Sequence, residues 1–267
     1  MCEFYNPSMP KKNLLLFALI ALSWLMPAQA EQILSAQYAN PTTRYGHFAL
    51  GAPHEYASVI ATTDQGRTLT LNLPESEVFE DLSPRLVSMH TNTPAELLTI
   101  VSAKAQGARL ALLGIVQGRL QIVAESKPIG QQNRWLNPVG VIDLDGDGVA
   151  EIAAVTTPHI GGILRVYKRQ GAELNEVAAL NGFSNHVFGS IELGLSQPAR
   201  VDGAMRLIVP NFPRTSLIAI ALKDSELVKT GQCKLATAIV KPSDLLACGH
   251  IEGHLFVPNK TDWQSLP

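Results

Sequence analysis

An all-β fold is predicted for this chain from three observations. Helical periodicity is scarce beyond the first thirty residues, and short Val/Ile/Leu/Thr-rich runs dominate, separated by Gly, Pro, Asn and Asp clusters. One pattern also recurs: an apolar run, a polar turn, then an alternating apolar run.

Five copies of that pattern follow in order. The first pairs residues 58–61 with 68–71 across a turn at Asp64-Gln65-Gly66-Arg67. The second pairs 97–101 with 109–113 across Ala105-Gln106-Gly107. In the third, 152–155 and 163–167 flank His159-Ile160-Gly161-Gly162, and in the fourth 207–209 and 216–222 flank Phe212-Pro213-Arg214. The fifth and weakest joins 245–248 to 254–257 through Ile251-Glu252-Gly253. Gly66, Gly107, Gly162, Arg214 and Gly253 stand 41, 55, 52 and 39 residues apart, a mean of roughly 47, which is the length of a four-stranded propeller blade.

The third copy displays a whole blade, spanning about residues 135–184. Residues 139–142 supply the inner strand, the hairpin follows, and 174–179 close the outside. Small sheets of this kind bury their apolar faces only by stacking on neighbours. The prediction is a β-propeller of about five blades, each a short four-stranded antiparallel sheet, with the first and last blades short. Residues 33–38 have no hairpin of their own and are expected to supply the outer strand of the last blade, closing the ring.

The first thirty residues read as a secretory signal: Lys11 and Lys12, an apolar stretch over 14–26, then Ala28-Gln29-Ala30 as a small-x-small cleavage site. That stretch is shorter than the roughly 20 residues needed to span a bilayer, so no stable membrane anchor is expected after cleavage, and Cys2 is not placed for lipidation. Residues 31–267 are expected to form a single domain, periplasmic or secreted. The chain carries a formal net charge of −2, about −3 without residues 1–30, and shows no basic stripe, which excludes nucleic acid as a partner. Export and an even cysteine count point to a Cys233–Cys248 disulfide, with two buried thiols as the alternative.

The run Asp143-Leu144-Asp145-Gly146-Asp147-Gly148-Val149-Ala150-Glu151 sets four carboxylates at positions 1, 3, 5 and 9 of one loop. Hard oxygen ligands this crowded repel one another unless a cation sits among them, and the spacing suits calcium. An EF-hand is excluded, since its bidentate Glu at position 12 is here Ala154, and Ile152-Ala153-Ala154-Val155 reads as strand. An acidic surface turn without metal is the other reading. Asp143-x-Asp145-x-Asp147-Gly148-x-x-Glu151 before that strand resembles the FG-GAP or VCBS repeats of integrin-like β-propellers. The resemblance implies calcium held by Asp143, Asp145, Asp147 and Glu151, with the Val149 carbonyl as a backbone ligand. Family loops often end in Asp; the longer Glu151 would bind directly or through water. The loop one repeat earlier reads Ser88, His90, Asn92 and Glu96, with one carboxylate, and the later one keeps Asp202-Gly203 but puts Arg206 in the ninth place, so one calcium site is expected.

No G-x-S-x-G elbow, phosphate-binding Gly loop or H-E-x-x-H occurs. His159 and His186 lie beside turns of consecutive repeats and are the candidate acid–base residues, against an ordinary role in satisfying turn backbone. His250, Glu252 and His254 would share one face of a strand as a weak transition-metal site. Trp135 is expected to pack between blades. The expected function is an exported calcium-binding scaffold that binds a protein or carbohydrate ligand without catalysis, its calcium structural. The alternatives are a periplasmic enzyme or enzyme subunit using the loop histidines, and a cell-surface adhesion module.

Overall fold

The computed structural model describes residues 1–4, 30–91, 93–201, 203–252, 255–258 and 264–265. Residues 5–29, most of the expected signal, lie outside the described residues, as do Gly253 and His254. Residues 31–267 cluster as one unit, separate from 1–30.

The fold is all-β. Its strands are β1 (Ile33–Pro41), β2 (Tyr56–Thr63), β3 (Thr68–Asn72), β4 (Glu77–Phe79), β5 (Arg85–Val87), β6 (Glu96–Ala103), β7 (Gly107–Val116) and β8 (Arg119–Ser126). There follow β9 (Leu136–Ile142), β10 (Glu151–Thr156), β11 (Ile163–Gln170), β12 (Glu173–Asn181), β13 (Gln197–Val201), β14 (Ala204–Pro210), β15 (Ser216–Lys223) and β16 (Glu226–Lys234). A 3₁₀ helix (Pro242–Cys248) and three short strands end the described chain: β17 (Gly249–Glu252), β18 (Leu255–Pro258) and β19 (Gln264–Ser265).

Consecutive strands pair antiparallel into meanders: β5–β8, β9–β12 and β13–β16 with four strands each, and β1–β3 with three. Hydrogen bonds join β1–β3, β5–β8 and β9–β12 into a twelve-stranded sheet, through β4 between β2 and β6 and through a short parallel contact of β8 with β12. β13–β16 with β19 form a second sheet, and β17–β18 a hairpin. Among the described residues neither hydrogen-bonded path closes on itself.

Alternation along the central strands decides how the meanders pack. Ile152 and Ala154 of β10 join Leu98, Ile100, Leu110 and Leu112 of β6 and β7. Ala153 and Val155 point the other way, into a cluster with Leu207, Val209, Ile218 and Ile220 of β14 and β15. The opposite face of β6 and β7, with Leu97, Val101, Ala111 and Leu113, meets Val59 and Ala61 of β2. The middle meanders are thus buried on both faces, which is why their strands read as unbroken apolar runs. A fully buried aliphatic side chain contributes about 2 kcal/mol. Face-to-face packing therefore outweighs the two-residue parallel contact in holding neighbours together.

Two strand expectations are corrected. Residues 33–38 do not complete the last repeat: β1 pairs with β2 from Ile33 to Pro41. Tyr38 is stacked on Tyr56 and Phe79 there, burying its ring in the first repeat. Residues 245–248 are helical, not a strand. Pro242 supplies no ladder N–H, and Asp244 Oδ2 accepts from the Val240 and Lys241 amides at 2.9 and 3.0 Å, fixing a turn. The hairpin strand begins at Gly249 instead. Cys233 and Cys248 are joined by a disulfide (Sγ–Sγ 2.07 Å), tying this helix to β16.

Candidate functional site

The acidic loop spans the turn between β9 and β10 and folds around its own carboxylates. Asp143 Oδ1 accepts from the Gly146 amide (2.7 Å) and Oδ2 from the Gly148 amide (3.0 Å). Asp145 and Asp147 accept from the amides two residues on, at 3.3 and 2.8 Å. Gly146 and Gly148 take φ of 81° and 86°, a left-handed conformation that glycine adopts at little cost. Glu151, fully buried, accepts the Leu144 amide on Oε2 at 2.8 Å.

These bonds leave the outer oxygens aimed together. Ligand oxygens of Asp143, Asp145 and Glu151 all lie within 4.8 Å of one another. Asp147 stands outside that triad, and Val149 forms an isolated bridge with His90. Lys168, on β11, places its Nζ 2.7 Å from Asp145 Oδ2, 2.7 Å from Asp147 Oδ2 and 3.1 Å from Glu151 Oε1. The last contact lacks hydrogen-bond direction, so the buried Oε1 has no hydrogen-bond partner. Burial pushes the Glu151 carboxyl up, while Lys168 holds Asp147 low. One ammonium against four carboxylates leaves excess negative charge, and an unsatisfied buried oxygen costs about 1–3 kcal/mol. The residues present fit a hard cation.

A second cluster forms where four separated segments meet. His159 Nε2 lies 2.8 Å from His186 Nδ1, and His186 Nε2 lies 2.8 Å from the Ser190 carbonyl. That carbonyl must accept, so His186 Nε2 carries its proton, His159 Nε2 donates to His186 Nδ1, and His159 Nδ1 is left an acceptor. Trp135 stacks on His159 with ring centroids 6.1 Å apart and donates Nε1–H to the Glu80 carbonyl. Gly162 makes this possible. A Cβ there would stand 1.5 Å from the Phe183 carbonyl oxygen, so only glycine lets the His159 turn press onto the segment leading to His186. Burial, with His186, His47 and Arg214 nearby, pulls His159 down to about 3, and burial with Arg214 pulls His186 down to about 4.

Among the described residues neither imidazole reaches a carboxylate. The carboxylate in the neighbourhood, buried Glu80, is bonded by His47 Nδ1 at 2.8 Å and by Ser102 Oγ at 2.6 Å. Buried Glu55 accepts the amides of Gly46, His47 and Phe48 at 2.8–2.9 Å and so fixes the loop that delivers His47. Arg214, in the turn between β14 and β15, donates Nε to the Ile239 carbonyl (3.1 Å) and Nη1 to Ser184 Oγ (2.9 Å).

The sequence reading missed Lys168, His47, Glu80 and Arg214. All four reach their partners across at least 17 residues, and no local pattern marks them. The side chains of the proposed His250/Glu252/His254 site lie outside the described residues. No known protein family matches the chain, and no curated protein matches it at a significant level.

Proposed function

We propose that this chain is an exported, calcium-binding β-propeller of the FG-GAP or VCBS type that acts as a non-catalytic binding scaffold. The observation that carries the reading is the fully buried Glu151 facing Asp143 and Asp145 across an acidic loop, where Lys168 alone balances the carboxylates. Asp143, Asp145, Asp147 and Glu151 would hold the ion, which would neutralise their repulsion and pin β9 to β10. Filling its coordination from protein oxygens gives it a structural role. The serial antiparallel units, three meanders of four strands, one of three and a terminal hairpin, support about five blades with the first and last short. The Cys233–Cys248 disulfide supports an oxidising compartment, periplasmic or extracellular.

The enzyme alternative would be favoured by His159 and His186 converging within hydrogen-bond reach of a carboxylate. Their partners are each other and a backbone carbonyl, so the geometry favours the scaffold.

Thermal melts of the full chain in calcium and in chelator, beside Asp145→Ala, test the reading. At calcium about 100-fold above Kd the native state gains about 2.7 kcal/mol, a rise of about 5–10 °C for a chain this size. The rise should vanish in the variant. Equal melting temperatures in calcium and chelator would remove calcium from the account.

A further inference from the structure

The β9–β12 meander departs from its neighbours at one set of register positions. In each four-stranded meander the last two strands slip by one residue, between Leu112 and Leu113 of β7, Val166 and Tyr167 of β11, and Ala219 and Ile220 of β15. Such a bulge re-aims the side chain that follows it. In β5–β8 it sets Ile122 opposite Leu113, and these two join Ala111 in the apolar contact with Val59 and Ala61. In β9–β12 the same slip sets Glu176 opposite Tyr167, and Arg165 takes the place of Ala111. An apolar trio has become a polar one, and a cleft of about 420 Å³ is lined by all three of its members.

Ile129, Leu136 and Leu174 give the cleft its apolar lining. Arg165 donates Nε to Thr156 Oγ1 at 3.0 Å and Nη1 to Glu176 Oε2, so the two charges cancel. Among the described residues Arg165 Nη2 and Glu176 Oε1 make no hydrogen bond. Tyr167 is 6% exposed, and its hydroxyl also makes no hydrogen bond among the described residues. Burial pushes that hydroxyl up to about 12, with Arg165 pulling it down and Glu176 pushing it up. It therefore keeps its proton near the ion pair, able to donate and to accept, and the fold supplies it with no partner.

We propose that this cleft binds a ring of a neutral oligosaccharide through Arg165, Tyr167 and Glu176. Arg165 Nη2 donates, Glu176 Oε1 accepts and the Tyr167 hydroxyl does either, which matches adjacent sugar hydroxyls, each a donor and an acceptor. The apolar lining receives the C–H bonds of the ring. The volume lies within the roughly 300–1,000 Å³ of small-molecule sites. A wholly apolar ligand would leave the three polar groups unpaired, at a cost. An anion would meet Glu176 and a cation Arg165, in a pair already neutral. The inference rests on the scaffold reading for its role and names the class of ligand carried, but it shares no residue with the acidic loop.

An array of neutral and sialylated oligosaccharides, probed in calcium with the labelled full chain, tests this. Neutral oligosaccharides should bind. Tyr167→Phe removes only the hydroxyl and should weaken that binding about five- to tenfold, the loss of one hydrogen bond. Tyr38→Phe, which removes a hydroxyl outside the cleft, should leave it unchanged. A silent array, binding confined to sialylated oligosaccharides, or equal binding by the parent and Tyr167→Phe would each overturn the assignment. Thermal melts keep the two readings apart. A silent array with the calcium-dependent rise intact removes the sugar site alone, and oligosaccharide binding without that rise removes calcium alone.

Discussion

The acidic loop and the histidine cluster solve opposite electrostatic problems. In the loop, four like charges from nine consecutive residues meet one lysine brought by a strand, and negative charge remains in excess. In the cluster, groups from loops far apart in sequence converge around one arginine without an acid, and burial strips the imidazoles of charge instead. The first site gathers acids that could hold a cation. The second holds its two facing imidazoles neutral beside Arg214. Local crowding creates a demand for an ion, whereas long-range assembly can tune each group by burial.

The sharpest way to break this contrast is Gly162→Ala. The added methyl would occupy the space of the Phe183 carbonyl, so the two turns must part, at a cost of about 3–5 kcal/mol and about 10 °C in melting temperature. The calcium response of the distant loop should survive. A variant that melts like the parent would show that the turns are not locked together.

A smaller effect is expected from acid. His159 and His186 titrate lower in the folded chain than in the unfolded one, where the ordinary value is about 6.5. His159 faces His186, His47 and Arg214, and His186 faces Arg214 and the Ser190 carbonyl. Their contribution is therefore complete above about pH 6.5 and is lost as pH falls toward about 4 and then about 3. Urea unfolding between pH 7 and 4 should show stability declining, and the double variant His159→Gln/His186→Gln should flatten the decline. An unchanged slope would place the acid sensitivity elsewhere.

Lys168→Met should give the smallest change. Removing the tethered ammonium costs the calcium-free chain about 1 kcal/mol, the scale of a partly exposed ion-pair network. It should also tighten calcium binding, because the ion no longer displaces a resident cation. Weaker binding in the variant would mean that Lys168 assists the ion and does not compete with it.

The acidic loop was legible because its carboxylates are contiguous, and the strands because burial on both faces leaves unbroken runs such as residues 152–155. Lys168 was not, since only the pairing of β11 with β10 carries it back over the loop. Arg214 was read as a turn marker and nothing more, because its meaning lies in Ser184, 30 residues away. The fifth hairpin was placed too early: Leu245 and Cys248 are buried at a spacing of three, which fits one face of a helix and not of a strand, and Pro242 opens that helix. The chemistry of a single contiguous segment shows in sequence; chemistry shared between segments requires the register.

Sheets that hide their faces by leaning on one another have no natural place to stop. The fourth meander would present Ile208, Leu217 and Ala219 to solvent if Ile239, Leu245 and Cys248 did not lie over them. The Cys233–Cys248 bond holds that cover to the strand beneath it. Opened by a reductant, the same chain would offer a bare apolar face to the next molecule, so the bond guards solubility as much as shape.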